Sequence, residues 1–324
     1  MISRRCLGAF VPLLLSLLLL LLHGSASAVQ DLGAASQAPA TGAAGDHDVF
    51  WAIEGPDARA GYLLGTVHSE DPRLLEYTPS FLEALSSCQT YAMELVPDLP
   101  TLQRLLSYME LPAGSTLEPL VGPERFAALE SAVAPYAISE ARLRRMKPWA
   151  AMMTLSLPPP KTGLFLDYAL SLRAGGMGMG VVGLETLEEQ LAFLEDLGLE
   201  AQLDLLDQAL ADHEQVQAVH DGMVDAYLTR DLATLQAMTD EQMAALEPET
   251  RAWFVSEGID ARNLRMAANA DRLLEGGCTF IAVGALHLPG EQGLLRLLEQ
   301  AGYRLVRLPS PYVAVTGDVP ASTP

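Results

Sequence analysis

Lysine is almost absent from this chain. Of 20 basic residues in 324, only Lys147 and Lys161 are lysines, and 41 acidic residues bring the formal charge to −21. That balance argues against a nucleic-acid partner, because phosphate backbones favour clustered cations. It argues equally against a polybasic grip on anionic lipid. Cysteine is nearly as scarce, at three residues, which excludes a disulfide-rich scaffold. Beyond Leu22 no apolar run is long enough to span a bilayer. Also missing are a His-Glu-x-x-His helix, a Gly-x-Ser-x-Gly elbow, a phosphate-cradling glycine loop and EF-hand spacing.

At the start of the chain, Arg4 and Arg5 precede an almost unbroken apolar run over residues 7–22, followed by Ser25-Ala26-Ser27-Ala28. This pattern predicts a cleaved export signal over residues 1–28, with a retained anchor as the alternative. The protein is therefore expected to be secreted or periplasmic, with no membrane span after cleavage. Losing two arginines and no acid takes the charge from −21 to −23. Residues 29–48, rich in Ala, Gly, Gln and Asp, read as a flexible leader, and residues 317–324 as a similar tail. Residues 49–316 remain for the folded part. They keep Cys88 and Cys278, read as buried free thiols, with a disulfide between them as the alternative that the compartment permits.

Residues 49–53 and 62–67 are short apolar runs separated by Gly55-Pro56-Asp57, the pattern of a hairpin. A helix over residues 78–86 and a strand over 89–96 follow. The middle is mostly helical, with segments at 99–109, 123–134, 138–157 and 163–173 and a long pattern over 202–229. A short strand at 179–184 interrupts it, and Thr186 with Glu189 three residues later fits a capping box. A helix over 257–276, a strand at 279–283, a helix at 291–301 and a strand at 303–308 close the chain. The expected fold is α/β, with a central mixed sheet from paired half-units, flanked by helices and carrying a large helical cap.

Histidine occurs only six times, yet two copies end matching strands: Gly65-Thr66-Val67-His68 and Gly284-Ala285-Leu286-His287. Glycine at a strand end lets the backbone turn sharply or be approached closely, and ligands of open α/β sheets sit beyond the carboxyl ends of strands. Glu94 interrupts an apolar strand, where a carboxylate is costly unless paired, solvated or metal-bound; ordinary alternation towards solvent is the other reading. Glu185 repeats the pattern, or is a helix-start carboxylate. Arg262 opens a patterned helix with Asn263. It either pairs with Glu257 or Asp260 or points inward to hold a carboxylate or an oxyanion. Asp167, amid apolar neighbours, either orients a histidine or bonds to backbone. Lys147-Pro148-Trp149 marks a rigid helical corner. His68, His287 and Glu94 form a ligand set for zinc, manganese or cobalt, with a metal-activated water as the attacking group.

Taken together these stretches resemble the TraB/GumN family, the Tiki-like metalloproteases. They are residues 62–68, Met93-Glu94-Leu95, Lys147-Pro148-Trp149, Gly183-Leu184-Glu185-Thr186 with Glu189-Gln190, Arg262-Asn263, and residues 283–290. The likeness covers about residues 49–310, in order. The family's two Gly-x-x-His motifs fall on His68 and His287, its strand glutamate on Glu94 and its helical arginine on Arg262. The resemblance implies paired half-units around a metal-centred cleft, similar to erythromycin esterases and a haem-binding lipoprotein. It also implies cation-dependent peptide hydrolysis, as in the animal members.

The expected function is a metal-dependent hydrolase acting on a peptide or protein. His68, His287 and Glu94 hold a divalent ion of zinc, manganese or cobalt type. In a variant assignment Glu94 accepts the water proton while Glu185 completes the metal shell, and in either case Arg262 stabilises the oxyanion. The alternatives are a metal-independent esterase-like hydrolase and a non-catalytic peptide- or haem-binding protein.

Overall fold

The computed structural model describes residues 48–55 and 59–313. The expected signal, nearly all of the leader, the tip of the first hairpin and the tail lie outside those residues. Strands β1 (Phe50–Glu54), β2 (Arg59–Thr66), β3 (Thr90–Met93), β4 (Gly180–Gly183), β5 (Thr279–Gly284) and β6 (Arg304–Arg307) form one mixed sheet. Their order is β4-β3-β5-β2-β1-β6. β1 and β2 pair antiparallel, as the hairpin pattern predicts. β2, β5, β3 and β4 run parallel, and β6 returns antiparallel on β1.

The two half-units are visible in this order. Each runs strand, Gly-x-x-His, helix, strand: β2 to β3 through Pro79–Ser86, and β5 to β6 through Leu294–Gln300. The starting strands, β2 and β5, lie side by side at the centre. Apolar side chains from both, including Leu63, Leu64, Phe280 and Ile281, fill the sheet's core with Tyr91 and Ile53. The cap has a core of its own, built around Leu117, Leu129, Trp149, Leu206 and Phe254. Its chain comes from both sides of β4. Lys147 and Trp149 both donate to Glu195, at 2.5 and 2.7 Å, which fixes the corner between two cap helices.

Several local expectations change. The long pattern over 202–229 is two helices, Leu199–Asp212 and Val216–Leu228. The helix carrying Arg262 is Ala261–Gly276, entered through a π-helical stretch, Phe254–Asp260. Asp48, read as the end of the leader, is buried and accepts from Arg230, Arg307 and the Val49 N–H. The capping box at Thr186 and Glu189 forms as expected. Among the described residues no helix is long and apolar enough to cross a membrane.

Cys88 and Cys278 are not free thiols. They form a disulfide with a Cα–Cα distance of 4.8 Å, across 190 residues of sequence. The reason is topological. β3 and β5 are sheet neighbours with Thr90 opposite Thr279, and each cysteine stands just before its strand. Closing so long a loop restricts the unfolded chain. The Cys278→Ser variant is expected to lose roughly 2–4 kcal/mol of stability, read as a lower denaturant midpoint; an unchanged midpoint would show that the sheet does not need the bridge.

Candidate functional site at the strand ends

Four parallel strands end at one edge of the sheet, and each delivers a polar side chain there. The β2–β5 register places Thr66 opposite Gly284, so both Gly-x-x-His motifs leave the sheet together. They leave it in close contact. A Cβ on Gly65 would lie 2.9 Å from the Ala285 Cα, closer than side-chain carbons come, so only glycine fits. Glu94 follows β3 and Glu185 follows β4. The ladder between them continues past the strands, with Glu185 N donating to the Glu94 carbonyl at 2.9 Å.

Both carboxylates are buried and Arg262 lies against them. Its Nη2 donates to Glu94 Oε2 at 2.6 Å and to Glu185 Oε2 at 2.7 Å. Its Nε adds bonds to Glu185 Oε2 at 3.0 Å and Oε1 at 3.2 Å. Nη1 takes no part in these bonds. Burial alone would lower the guanidinium pKa, but Glu94 and Glu185 more than offset it and hold the group protonated. Glu94 is fixed further by the Gly284 N–H, 2.7 Å from Oε1, and by Gln190 Nε2, 3.3 Å from Oε2.

His287 stands beside this cluster. Its Nδ1 lies 2.6 Å from Asn263 Oδ1, while Asn263 Nδ2 donates to the Gln292 carbonyl at 2.8 Å. With the amide oriented this way, Nδ1 carries the proton and Nε2 a lone pair. Burial, and then the Arg262 charge, push the imidazole pKa down to about 3, so the ring is neutral near pH 7. The open Nε2 faces Glu94 Oε1 at 3.7 Å.

His68 has different surroundings. Its ring stacks on Phe165 at 3.9 Å between centroids, and Nδ1 lies 3.5 Å from Asp167 Oδ2 without hydrogen-bond geometry. The ring is 2% exposed, and neither nitrogen has a hydrogen-bond partner. Asp167 is anchored through its other oxygen by the Thr66 hydroxyl. The His68 carbonyl lies 3.0 Å from His220 Nε2.

Glu94, Glu185, Arg262 and His287 thus form one connected group, while His68 leaves the same edge in contact with Asp167, Phe165 and His220. Among the described residues no three His, Cys, Asp or Glu side chains are disposed to hold a metal ion as they stand. Arg262 pairs with Glu94 and Glu185, not with its sequence neighbours Glu257 or Asp260. Sequence reasoning passed over His220 and gave no site role to Gln190. The signal for His220 was present: it lies on the stripe of Met223, Val224 and Tyr227 that faces the core.

Residues 49–307 match the sequence model of the TraB/PrgY/gumN family. Among zebrafish (Danio rerio) proteins, the chain is 24% identical to Metalloprotease TIKI2 over 315 residues, covering 80% of this chain and 61% of that protein. It is 26% identical to Metalloprotease TIKI1 over 304 residues, covering 77% and 61%. The chain therefore spans about three-fifths of the length of these relatives. No solved structure matches it. The family match runs across the whole sheet and takes in every residue of the strand-end site, from His68 to His287, and the chain belongs to the TraB/PrgY/gumN family.

Proposed function

We propose that the protein is an exported, divalent-metal-dependent hydrolase of peptide bonds, with His287, Glu94 and His68 as its metal ligands. One observation carries this reading: two lone-pair donors, His287 Nε2 and Glu94 Oε1, face each other at 3.7 Å. Two acceptors so placed repel unless a cation or the hydrogens of a water lie between them. A neutral imidazole held by an amide at its far nitrogen, beside a carboxylate, is the donor chemistry that zinc, manganese and cobalt accept. His68, with both ring nitrogens unpartnered at the same edge, would take the third position only by moving towards this pair. The names of both zebrafish relatives, as metalloproteases, support a metal and a protease. The disulfide fits an oxidising, exported setting.

A divalent ion held there would supply Lewis-acid polarisation of a carbonyl and a water of lowered pKa. The chain's own groups do the rest. Asn263 fixes the His287 tautomer. Glu94 Oε1, the oxygen facing His287, would hold the ion and its water in place; in the variant assignment, with Glu185 in the metal shell, it accepts the proton of the attacking water instead. Arg262 anchors Glu94 through Nη2 and offers Nη1 to the developing oxyanion. Glu185, bound three times by Arg262, balances its charge, or in the variant assignment completes the metal shell. The helical cap shapes the approach.

A second reading, metal-free ester or amide hydrolysis, is favoured by one observation. His68 lies beside a buried carboxylate, Asp167, the arrangement of a histidine base with an orienting acid.

With manganese, cobalt or zinc added, wild type is expected to cleave peptides and to lose that activity on chelation. Glu94→Gln is expected to lower kcat by roughly 10²–10⁴-fold, and His68→Ala and His287→Ala to lower bound metal and turnover together. Full activity after chelation would favour the second reading, and equal turnover in both histidine variants and wild type would remove the assigned site. Arg262→Met leaves buried Glu94 without its cation and Glu185 with only Arg265, at 3.6 Å, and is expected to cost about 3–5 kcal/mol, measured by urea unfolding; a loss below 1 kcal/mol would mean the carboxylates find other partners.

The metal-free protein also has a predictable acid response. His287 stays neutral in the fold down to about pH 3, whereas an unfolded histidine titrates near 6.5. Between those values the unfolded chain binds more protons, so stability falls as pH drops from about 6.5 towards 3. Burial lowers the His220 pKa and adds the same sign. Urea midpoints at falling pH should decline less steeply in His287→Gln; an identical slope would show that His287 is not held neutral.

A further inference from the structure

His68 faces a second feature. It lines an open cleft of about 150 Å³, together with residues 157–161 of the cap, Phe165, and Asp71, His220 and Asp221. Here a residue that is 2% exposed, with neither ring nitrogen partnered, stands in the wall of a cavity open to solvent. Buried polar atoms left unbonded are rare and costly, and His68 keeps two of them just behind the wall of this cleft.

The rest of the lining indicates what ligand chemistry fits. Pro158, Pro159 and Pro160 have no backbone N–H, so that wall offers hydrogen-bond acceptors only. The lip after it is held rigid: the Glu70 carboxylate accepts from the N–H groups of Lys161, Thr162 and Gly163, the shortest at 2.5 Å. His220 Nε2, beside the His68 carbonyl, must be the protonated nitrogen of the neutral ring, which leaves Nδ1 as another acceptor. Three lining residues carry carboxylates, Glu70, Asp71 and Asp221, against one ammonium, that of Lys161. Two of the three carboxylates are committed, Glu70 to the lip and Asp71 to Arg73. Asp221 accepts from the neutral Gln217 amide at 2.7 Å. Among the described residues it has neither a cation partner, as Asp71 has, nor the three backbone N–H groups that occupy Glu70.

We propose that this cleft is the subsite that receives a protonated nitrogen of the substrate, with Asp221 as its carboxylate partner and the three-proline wall packed along the carbon chain. The assignment deepens the hydrolase reading and rests on it for the word substrate. His68 ties the two places together, since it belongs both to the strand-end edge and to the cleft. A lysine or arginine side chain and a free chain-terminal amine share this chemistry.

The test uses the full exported chain and a set of fluorescent tetrapeptides. Four are blocked at both ends and differ at one side chain: lysine, arginine, norleucine or glutamate. A fifth is the norleucine peptide with a free α-amino group. Binding is read by anisotropy at low salt, and turnover in parallel with manganese or zinc. At least one cationic peptide should bind about 10-fold more tightly than blocked norleucine, the size of one charge-assisted hydrogen bond. Asp221→Asn should remove that preference, and where peptides are cleaved the preference should appear in KM. Tighter binding of the lysine or arginine peptide assigns the cleft to a side chain, and of the free-amine peptide to a chain terminus. Equal binding of cationic and neutral peptides, preference for glutamate, or a cationic preference that survives in Asp221→Asn would overturn the proposal. Failure of the hydrolase reading looks different: no peptide is cleaved, while the binding preference and its loss in Asp221→Asn remain.

Discussion

One guanidinium makes the strand-end site possible. The β3–β4 ladder forces Glu94 and Glu185 into adjacent buried positions. Two like charges about 4 Å apart repel by about 4 kcal/mol at an effective dielectric of 20, before either pays for leaving water. Arg262 reverses the sign of that interaction by donating to both. The geometry suits arginine and not lysine, because a planar fork can serve two carboxylates at once. Its charge then acts on a third group: after burial, it is what keeps His287 neutral. The open lone pair of the imidazole therefore depends first on burial and then on that charge.

The fold delivers this arrangement by register. Parallel neighbours end level with one another, so Thr66 and Gly284 leave the sheet side by side, with Met93 opposite Ala282 on the next strand. Gly65 allows the two motif backbones to touch. The helix bearing Arg262 and Asn263 comes from outside the sheet, through a π-helical stretch whose Gly258 packs on Phe193 of the cap. Such stretches often occur at functional sites. Here it leads directly into consecutive residues with separate tasks, Arg262 towards the carboxylates and Asn263 towards His287. Sheet and cap therefore meet at the chemistry.

Much of this was legible in the sequence, for identifiable reasons. The Gly-x-x-His endings, the acid inside an apolar strand and the capping box are local patterns with local causes. The α/β class and the helical cap follow from the order of those patterns. What escaped depends on non-consecutive contacts. Arg262 has acids close to it in sequence, and no periodicity reveals that its partners lie 168 and 77 residues away. The pairing of Cys88 with Cys278 follows from β5 inserting next to β3, a strand order that the chain order does not contain. The break between Leu199–Asp212 and Val216–Leu228 has neither glycine nor proline to mark it.

The two histidine motifs look alike in sequence and differ in chemistry. Burial and a polar neighbour act on both rings, but the neighbours are of opposite kinds. His287 has a neutral amide oxygen at Nδ1 and a cation close by, conditions that disfavour a second proton and leave Nε2 free to donate its lone pair. His68 has a carboxylate near Nδ1 and an aromatic face against its ring, and neither of its nitrogens is hydrogen-bonded. A repeated strand–loop–helix unit thus brings two imidazoles to one edge, and the surrounding helices make them unequal. Asn263 belongs to the helix of Arg262, and Asp167 to Leu166–Gly176, which packs beneath the opposite half of the sheet's edge order, beside β3 and β4. The difference between an imidazole held by an amide and one set beside a carboxylate comes from the helices, and it is there, not in the Gly-x-x-His endings, that the strand-end site takes its particular form.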